Sequence, residues 1–154
     1  MLKTVVCVSG GGTNLQAILD AIDHGTITNT QIMAVISNNA GAYALERARN
    51  KGIEAICMSP KSYSDRAAFN EAFTAKMKEL NPDLVTLDIT MPKMDGIEAL
   101  MLIKKYNENA EAVMITAAGQ KEKMIQAVKY GASEFITKPY ESDEVERIIA
   151  QILN

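Results

Sequence analysis

The sequence predicts an α/β fold: a three-layer, doubly wound parallel sheet, flavodoxin-like or Rossmann-like, with six strands in the order 3-2-1-4-5-6. Three observations predict it. Short runs rich in Val and Ile alternate with longer segments whose apolar residues recur every three or four positions. Gly, Ser, Asn and Pro punctuate the boundaries between them. The connections are short throughout, with no linker, low-complexity stretch or block of like charge.

The first strand is Thr4-Val5-Val6-Cys7-Val8, closed by Ser9 and three glycines. The following helix carries Leu15, Ile18, Leu19 and Ile22 on one face, with Gly25 beyond its end. His24, the one histidine, sits there as a polar cap near the negative end of the helix. The second strand runs from Ile32 to Ile36 and stops at Ser37-Asn38-Asn39. A helix over Tyr43–Asn50 ends at Lys51-Gly52, and a short third strand spans Ala55–Met58 before Ser59-Pro60. The helix from about Asp65 to Leu80 lines up Phe69, Phe73, Met77 and Leu80, and Asn81-Pro82 ends it.

Leu84–Asp88 is the fourth strand. Gly96 to about Tyr106 is a helix with Ile97, Leu100 and Met101 inward. Ala112–Thr116 is the fifth strand, Lys121–Tyr130 a helix that Gly131 terminates, and Phe135-Ile136-Thr137 the sixth strand. The last helix presents Val145, Ile148, Ile149 and Ile152 at helical spacing. Chain order reverses between strands one and four, and folds of this kind bind ligands at the carboxyl ends there. Ser9–Gly12 and Asp88 face each other across that crevice.

Composition sets the class. At 154 residues and 47% hydrophobic, the chain makes a single domain, residues 1–154, with a sizeable core. Sixteen basic residues against nineteen acidic ones give a net charge of -3, which argues against a broad nucleic-acid surface. No Trp and only three Phe leave no aromatic platform for bases. No apolar run approaches the roughly eighteen residues of a membrane span, so a soluble cytoplasmic domain is expected. Cys7 and Cys57 are too few for a disulfide scaffold and are expected as buried, unreactive thiols. Met33, Met77 and Met101 fall at core positions.

Two groups of residues could carry chemistry. In Ser9-Gly10-Gly11-Gly12-Thr13-Asn14, glycines let several backbone N–H groups turn toward one point at the start of a helix. A phosphate or sulfate fits there, held also by the Ser9 or Thr13 hydroxyl. A purely structural tight turn, with Thr13 or Asn14 as the helix cap, fits these residues equally. The loop matches neither a dinucleotide fingerprint nor a P-loop. The second group is Asp88, Thr116 and Lys138, a carboxylate, a hydroxyl and an ammonium at the ends of strands four, five and six. Such a set suits phosphoryl transfer to Asp88, with Thr116 and Lys138 on the phosphoryl oxygens. A divalent cation normally needs more than one carboxylate, and strand one ends in Ser and Gly. No metal is expected, with Asp88 and Thr90 as the weak candidates, and Asp95 reads as a helix cap.

The two halves of the chain resemble different families. Residues 1–81 resemble the amino-terminal half of phosphoribosylglycinamide formyltransferase, through Val5–Gln16, Ala34–Asn38, Ala44–Gly52 and Tyr63–Leu80. That resemblance implies phosphate contacts from Gly11, Gly12, Thr13 and Asn14. It also implies no transformylase activity, because the family's catalytic Asn, His and Asp belong to a half this chain lacks. Residues 82–154 resemble the carboxyl-terminal half of a chemotaxis-type response regulator receiver domain, through Pro82–Gly96, Ile115-Thr116-Ala117, Gly131-Ala132, Phe135 and Lys138-Pro139. This second resemblance implies Asp88 as phospho-acceptor, Thr116 as switch hydroxyl, Lys138 as phosphate-sensing lysine and Phe135 as the aromatic switch position. Thr90 would offer its carbonyl to Mg²⁺. Receivers also carry an acidic pair after the first strand, where this sequence has Val8-Ser9-Gly10-Gly11.

The expectation is therefore a recombined or engineered α/β chimera with no catalysis and a residual anion loop. A degenerate receiver phosphorylatable at Asp88 is one alternative. The other is a binder of a small phosphate-containing ligand or nucleotide in the crevice between strands one and four. No cofactor beyond phosphate or sulfate and no specific partner is expected, with the chain a monomer or weak homodimer.

Overall fold

Thr4 to Val8 are buried along their whole length, as a central parallel strand covered on both faces must be. The computed structural model describes residues 2–8, 13–28, 30–88, 96–117, 121–138 and 142–153. Its elements are β1 (Leu2–Val8), α1 (Thr13–Asp23), β2 (Thr30–Ser37), α2 (Tyr43–Asn50), β3 (Glu54–Cys57), a 3-10 turn over Pro60–Ser62, and α3 (Arg66–Leu80). They continue as β4 (Leu84–Asp88), α4 (Gly96–Tyr106), β5 (Glu111–Ala117), α5 (Lys121–Lys129), β6 (Glu134–Lys138) and α6 (Ser142–Leu153).

The six strands form one sheet in the order β3-β2-β1-β4-β5-β6, and every pairing is parallel. This is the predicted doubly wound topology. One irregularity interrupts it: β1 shifts register against β2 between Thr4 and Val5. Right-handed crossovers send α1 and α2 to one face and, after the reversal, α3, α4 and α5 to the other. α6 returns to the first face. Two cores result. Val6, Val8, Val35, Leu84 and Ile115 pack under Leu15, Ile18, Leu45 and Ile149. Val5, Cys7, Ile36, Val85 and Leu87 pack under Phe69, Phe73, Met77, Leu100 and Ile103.

Local chemistry fixes the ends of α3. Asp65 accepts the Ala68 amide at 2.8 Å as N-cap. Asn81 closes the helix in the left-handed region at φ 47°, its amide donating to the Met77 carbonyl at 2.8 Å. The Tyr106 hydroxyl at the end of α4 donates to Asn81 Oδ1 at 3.0 Å, which ties α4 to that cap. At Gly131, φ is 94°, a backbone conformation that strains any side chain, so the turn favours glycine whatever the space around it.

The structure differs from the sequence reading at two positions. Met101 is 43% exposed rather than inward, and Ile103 takes the core place beside Ile97 and Leu100. One helical residue turns the side chain by about 100°, which carries Met101 off the buried stripe. Cys57 is exposed, because β3 is an edge strand with β2 on one side only. Cys7, in contrast, is fully buried, and desolvation pushes its thiol up to about 12. Among the described residues no helix is long and apolar enough to cross a membrane.

Two outcomes follow from these contacts. A thiol reagent at pH 8 labels the native protein once, at Cys57, and a second equivalent reacts only after denaturation, as peptide mapping will show. Asn81→Ala loses both the left-handed preference and the Tyr106 bond, and costs about 1–2 kcal/mol in urea unfolding. Asn81→Gly, which restores the backbone freedom, costs less.

Candidate functional site

The carboxyl edge of the sheet gathers the ends of three strands that carry polar residues. In the register of β4 with β5, Asp88 lies opposite Ile115. Thr116 is the next residue of β5 and lies opposite Thr137, and Ala117 lies opposite Lys138. The backbone thus places Thr116 one residue step beyond Asp88 on the adjacent strand, and Lys138 one further step on along β6, with neighbouring strands spaced about 4.8 Å apart. On the other side of β4, Cys7 lies opposite Leu87, so the next pair in that register is Val8 and Asp88. The reversal point predicted from the sequence is therefore at Asp88, where β1 and β4 end together.

Thr116 is fully buried, and its Oγ1 has no hydrogen-bond partner among the described residues. A buried hydroxyl in this state costs roughly 1–3 kcal/mol relative to a satisfied one. It is the penultimate residue of β5, and the residues before it, Ala112 to Ile115, are all apolar and buried. Thr86, in the middle of β4, has the same unpartnered state. Sequence reasoning passed over Thr86; its only signal was a hydroxyl inside an apolar strand. By comparison, the buried Thr4 and Thr30 hydroxyls of β1 and β2 satisfy each other at 2.7 Å.

The other predicted site residues are less fully defined. Ser9, Gly10, Gly11, Gly12 and Thr90 lie outside the described residues. So do the side chains of Thr13, Asn14, Asp88 and Lys138, although Thr13 and Asn14 are placed as the first residues of α1. His24 is exposed just past α1, and its amide donates to the Asp20 carbonyl at 2.9 Å, as a helix-end residue should. Phe135 is half-buried against the α3–α4–α5 core.

A magnesium ion at this edge would need oxygen donors from more than one strand end. Beside Asp88 the register brings Val8, followed in sequence by Ser9 and three glycines, none of which has a carboxylate. Among the described residues there is no group of three His, Cys, Asp or Glu side chains able to hold a metal.

With this geometry in hand, comparison with known proteins is decisive for ancestry. Residues 46–150 match the family model of the response regulator receiver domain. The chain belongs to that family. The match begins inside α2 and includes the whole α3–β4 passage. The chain is 49% identical over 79 residues to the chemotaxis protein CheY of Bacillus subtilis, which covers 51% of this chain. It spans 66% of that relative's length, just under two thirds. The response regulator domain of Thermotoga maritima CheB shares the fold over 99% of this chain and 93% of its own, at 21% identity and a TM-score of 0.59.

A second likeness runs alongside. Glycinamide ribonucleotide transformylase 1 of Symbiobacterium toebii is 44% identical over the aligned part, covering 56% of this chain and 40% of that one, with a TM-score of 0.51. The flavodoxin-like sheet common to these proteins accounts for the superposition.

Replacing either unpartnered hydroxyl by an isosteric methyl removes the desolvation cost without opening a cavity. Thr86→Val and Thr116→Val should each raise the unfolding free energy by about 1 kcal/mol, measured by urea titration with an unchanged slope.

Proposed function

We propose that this receiver-family domain accepts a phosphoryl group on Asp88. The observation that carries the reading is the unpartnered, fully buried Thr116 hydroxyl, one register step from Asp88 at the edge where the fold binds ligands. A hydroxyl left without a partner gains most when an anionic oxygen arrives to accept its hydrogen bond. In the proposed reaction a carboxylate oxygen of Asp88 attacks the phosphorus of a small acyl phosphate. The bond between phosphorus and the bridging oxygen breaks, its electron pair leaves with the carboxylate product, and Asp88 becomes an acyl phosphate. Lys138 supplies positive charge to the phosphoryl oxygens, and Thr116 donates to one of them. Because the acidic pair is replaced by Val8-Ser9-Gly10-Gly11, the reaction depends on these two residues and on the glycine loop. The loop's backbone N–H groups and the start of α1 are the further anion donors, with Ser9, Thr13 and Asn14 beside them.

A second reading is favoured by the 44% identity to the transformylase and by the absent acidic pair. In it, residues 1–81 derive from a transformylase-like half and residues 82–154 from a receiver-like half. The product is a chimeric scaffold that binds phosphate or sulfate at Ser9–Asn14 and turns nothing over. Under either reading the chain is a cytoplasmic monomer or weak dimer with no resident cofactor.

Intact mass after incubation with acetyl phosphate, with and without Mg²⁺, separates the two. The proposal expects a gain of about 80 Da, the mass of HPO₃, that disappears in Asp88→Ala and is slowed in Lys138→Ala. No gain from a sample shown to be folded by circular dichroism sinks the phospho-acceptor reading and leaves the scaffold.

A further inference from the structure

Beside the reversal point, on the face covered by α3 and α4, the structure holds a half-open cavity of about 280 Å³. It is assembled from both sides of the reversal: the 3-10 turn and first turns of α3 on one side, and the first two turns of α4 on the other. Its wall is aromatic. Tyr63 meets Phe69 edge-on, with centroids 5.5 Å apart and planes at 77°. Phe69 stacks on Phe73 at 6.3 Å and 21°. Leu102 completes the apolar lining from α4.

The rim is charged and already ordered. Arg66 pairs with Glu98 Oε2 at 2.8 Å, and Asn70 Nδ2 donates to Glu98 Oε1 at 2.8 Å. Asp65 adds a second carboxylate at the mouth. Two carboxylates against one guanidinium leave the mouth with a formal charge of -1. Glu98 is only 32% exposed, so its charge is less screened by water than that of Arg66, at 63%.

We infer that this cavity is a binding site for a small aromatic amine in its cationic form, an indole-sized ring system bearing an ammonium group. The volume suits one or two fused rings, since a cavity of about 150 Å³ already holds benzene. The rings pack against half-buried Tyr63 and the small exposed part of Phe69, and the ammonium meets Glu98 and Asp65 at the mouth. Glu98 keeps its geometry through Asn70 and Arg66, so little ordering is required on binding. The site is independent of Asp88 and its chemistry.

The test is an amide chemical-shift titration of the whole chain with tryptamine, indole and indole-3-acetate. Tryptamine is expected to saturate, to shift amides of Phe69, Phe73 and Ala99, and to bind about tenfold more tightly than indole-3-acetate. Glu98→Gln, which keeps the volume, should abolish the preference of tryptamine over indole while leaving indole binding in place. Asn70→Trp, on the outer side of the cavity, should block all three probes. Non-saturating shifts, shifts centred elsewhere, or tighter binding of the carboxylate overturn the inference, and because these are read on the unmodified chain they do not depend on either variant folding.

Discussion

The pairing of β1 with β4 is the constraint on which the remaining structure depends, because it joins the two directions in which the sheet is wound. Asp83 anchors it at the amino edge. Its amide donates to the Lys3 carbonyl at 2.7 Å, its Oδ2 accepts the Lys3 amide at 2.8 Å, and its carbonyl accepts the Glu111 amide at 2.8 Å. One residue therefore sets the register of β1, β4 and β5 together. A slip of one residue here would invert which side chains of β4 meet each helix layer. From this register follow the burial of Val85 and Leu87 under α3 and α4, and of Leu84 on the opposite face. The same register ends β1 and β4 side by side and opens the crevice at Asp88.

On the α3–α4 side the join is closed at its two ends by different chemistry. Near the carboxyl edge Glu98 of α4 takes Arg66 and Asn70 of α3. At the far end Tyr106 of α4 bonds Asn81, the residue that turns the chain from α3 toward β4. The half-exposed ion pair adds little to stability, about 0–1 kcal/mol. The buried aromatic column is worth far more, since truncating a residue such as Phe73 to alanine costs about 3–5 kcal/mol. Between these ties the helices do not fill the space, and the aromatic cavity remains.

The polar groups of the sheet divide in a way that bears on function. Thr4 and Thr30 satisfy each other, whereas Thr86 and Thr116 do not. An unpartnered hydroxyl is tolerated in a core of this size because the surrounding apolar burial outweighs it. At Thr116, however, it lies at the carboxyl edge of the sheet, where an oxygen of the proposed phosphoryl group would satisfy it. The family match spans both Asp88 and Thr116, while the end of β1 is followed by Ser9 and three glycines.

Much of this was legible in the sequence. Six apolar runs alternating with helical stripes dictated the strand order, and Phe69, Phe73, Met77 and Leu80 were readable as one buried stripe from their spacing alone. Asp65 and Asn81 marked the two ends of α3 by residue type, Asp65 through its capping carboxylate and Asn81 through its tolerance of the left-handed conformation. The Asp88, Thr116 and Lys138 set was readable as strand-end residues once the strands were placed. What only the tertiary structure decided is which of several apolar or polar residues meets a neighbour. Met101 lost its core place to Ile103, Cys57 was exposed by the edge position of β3, and Thr86 was left without a partner. The cavity between α3 and α4 belongs with these. Periodicity is a property of one element and survives in the sequence, whereas burial, satisfaction and voids depend on how two elements distant in the chain fit against each other.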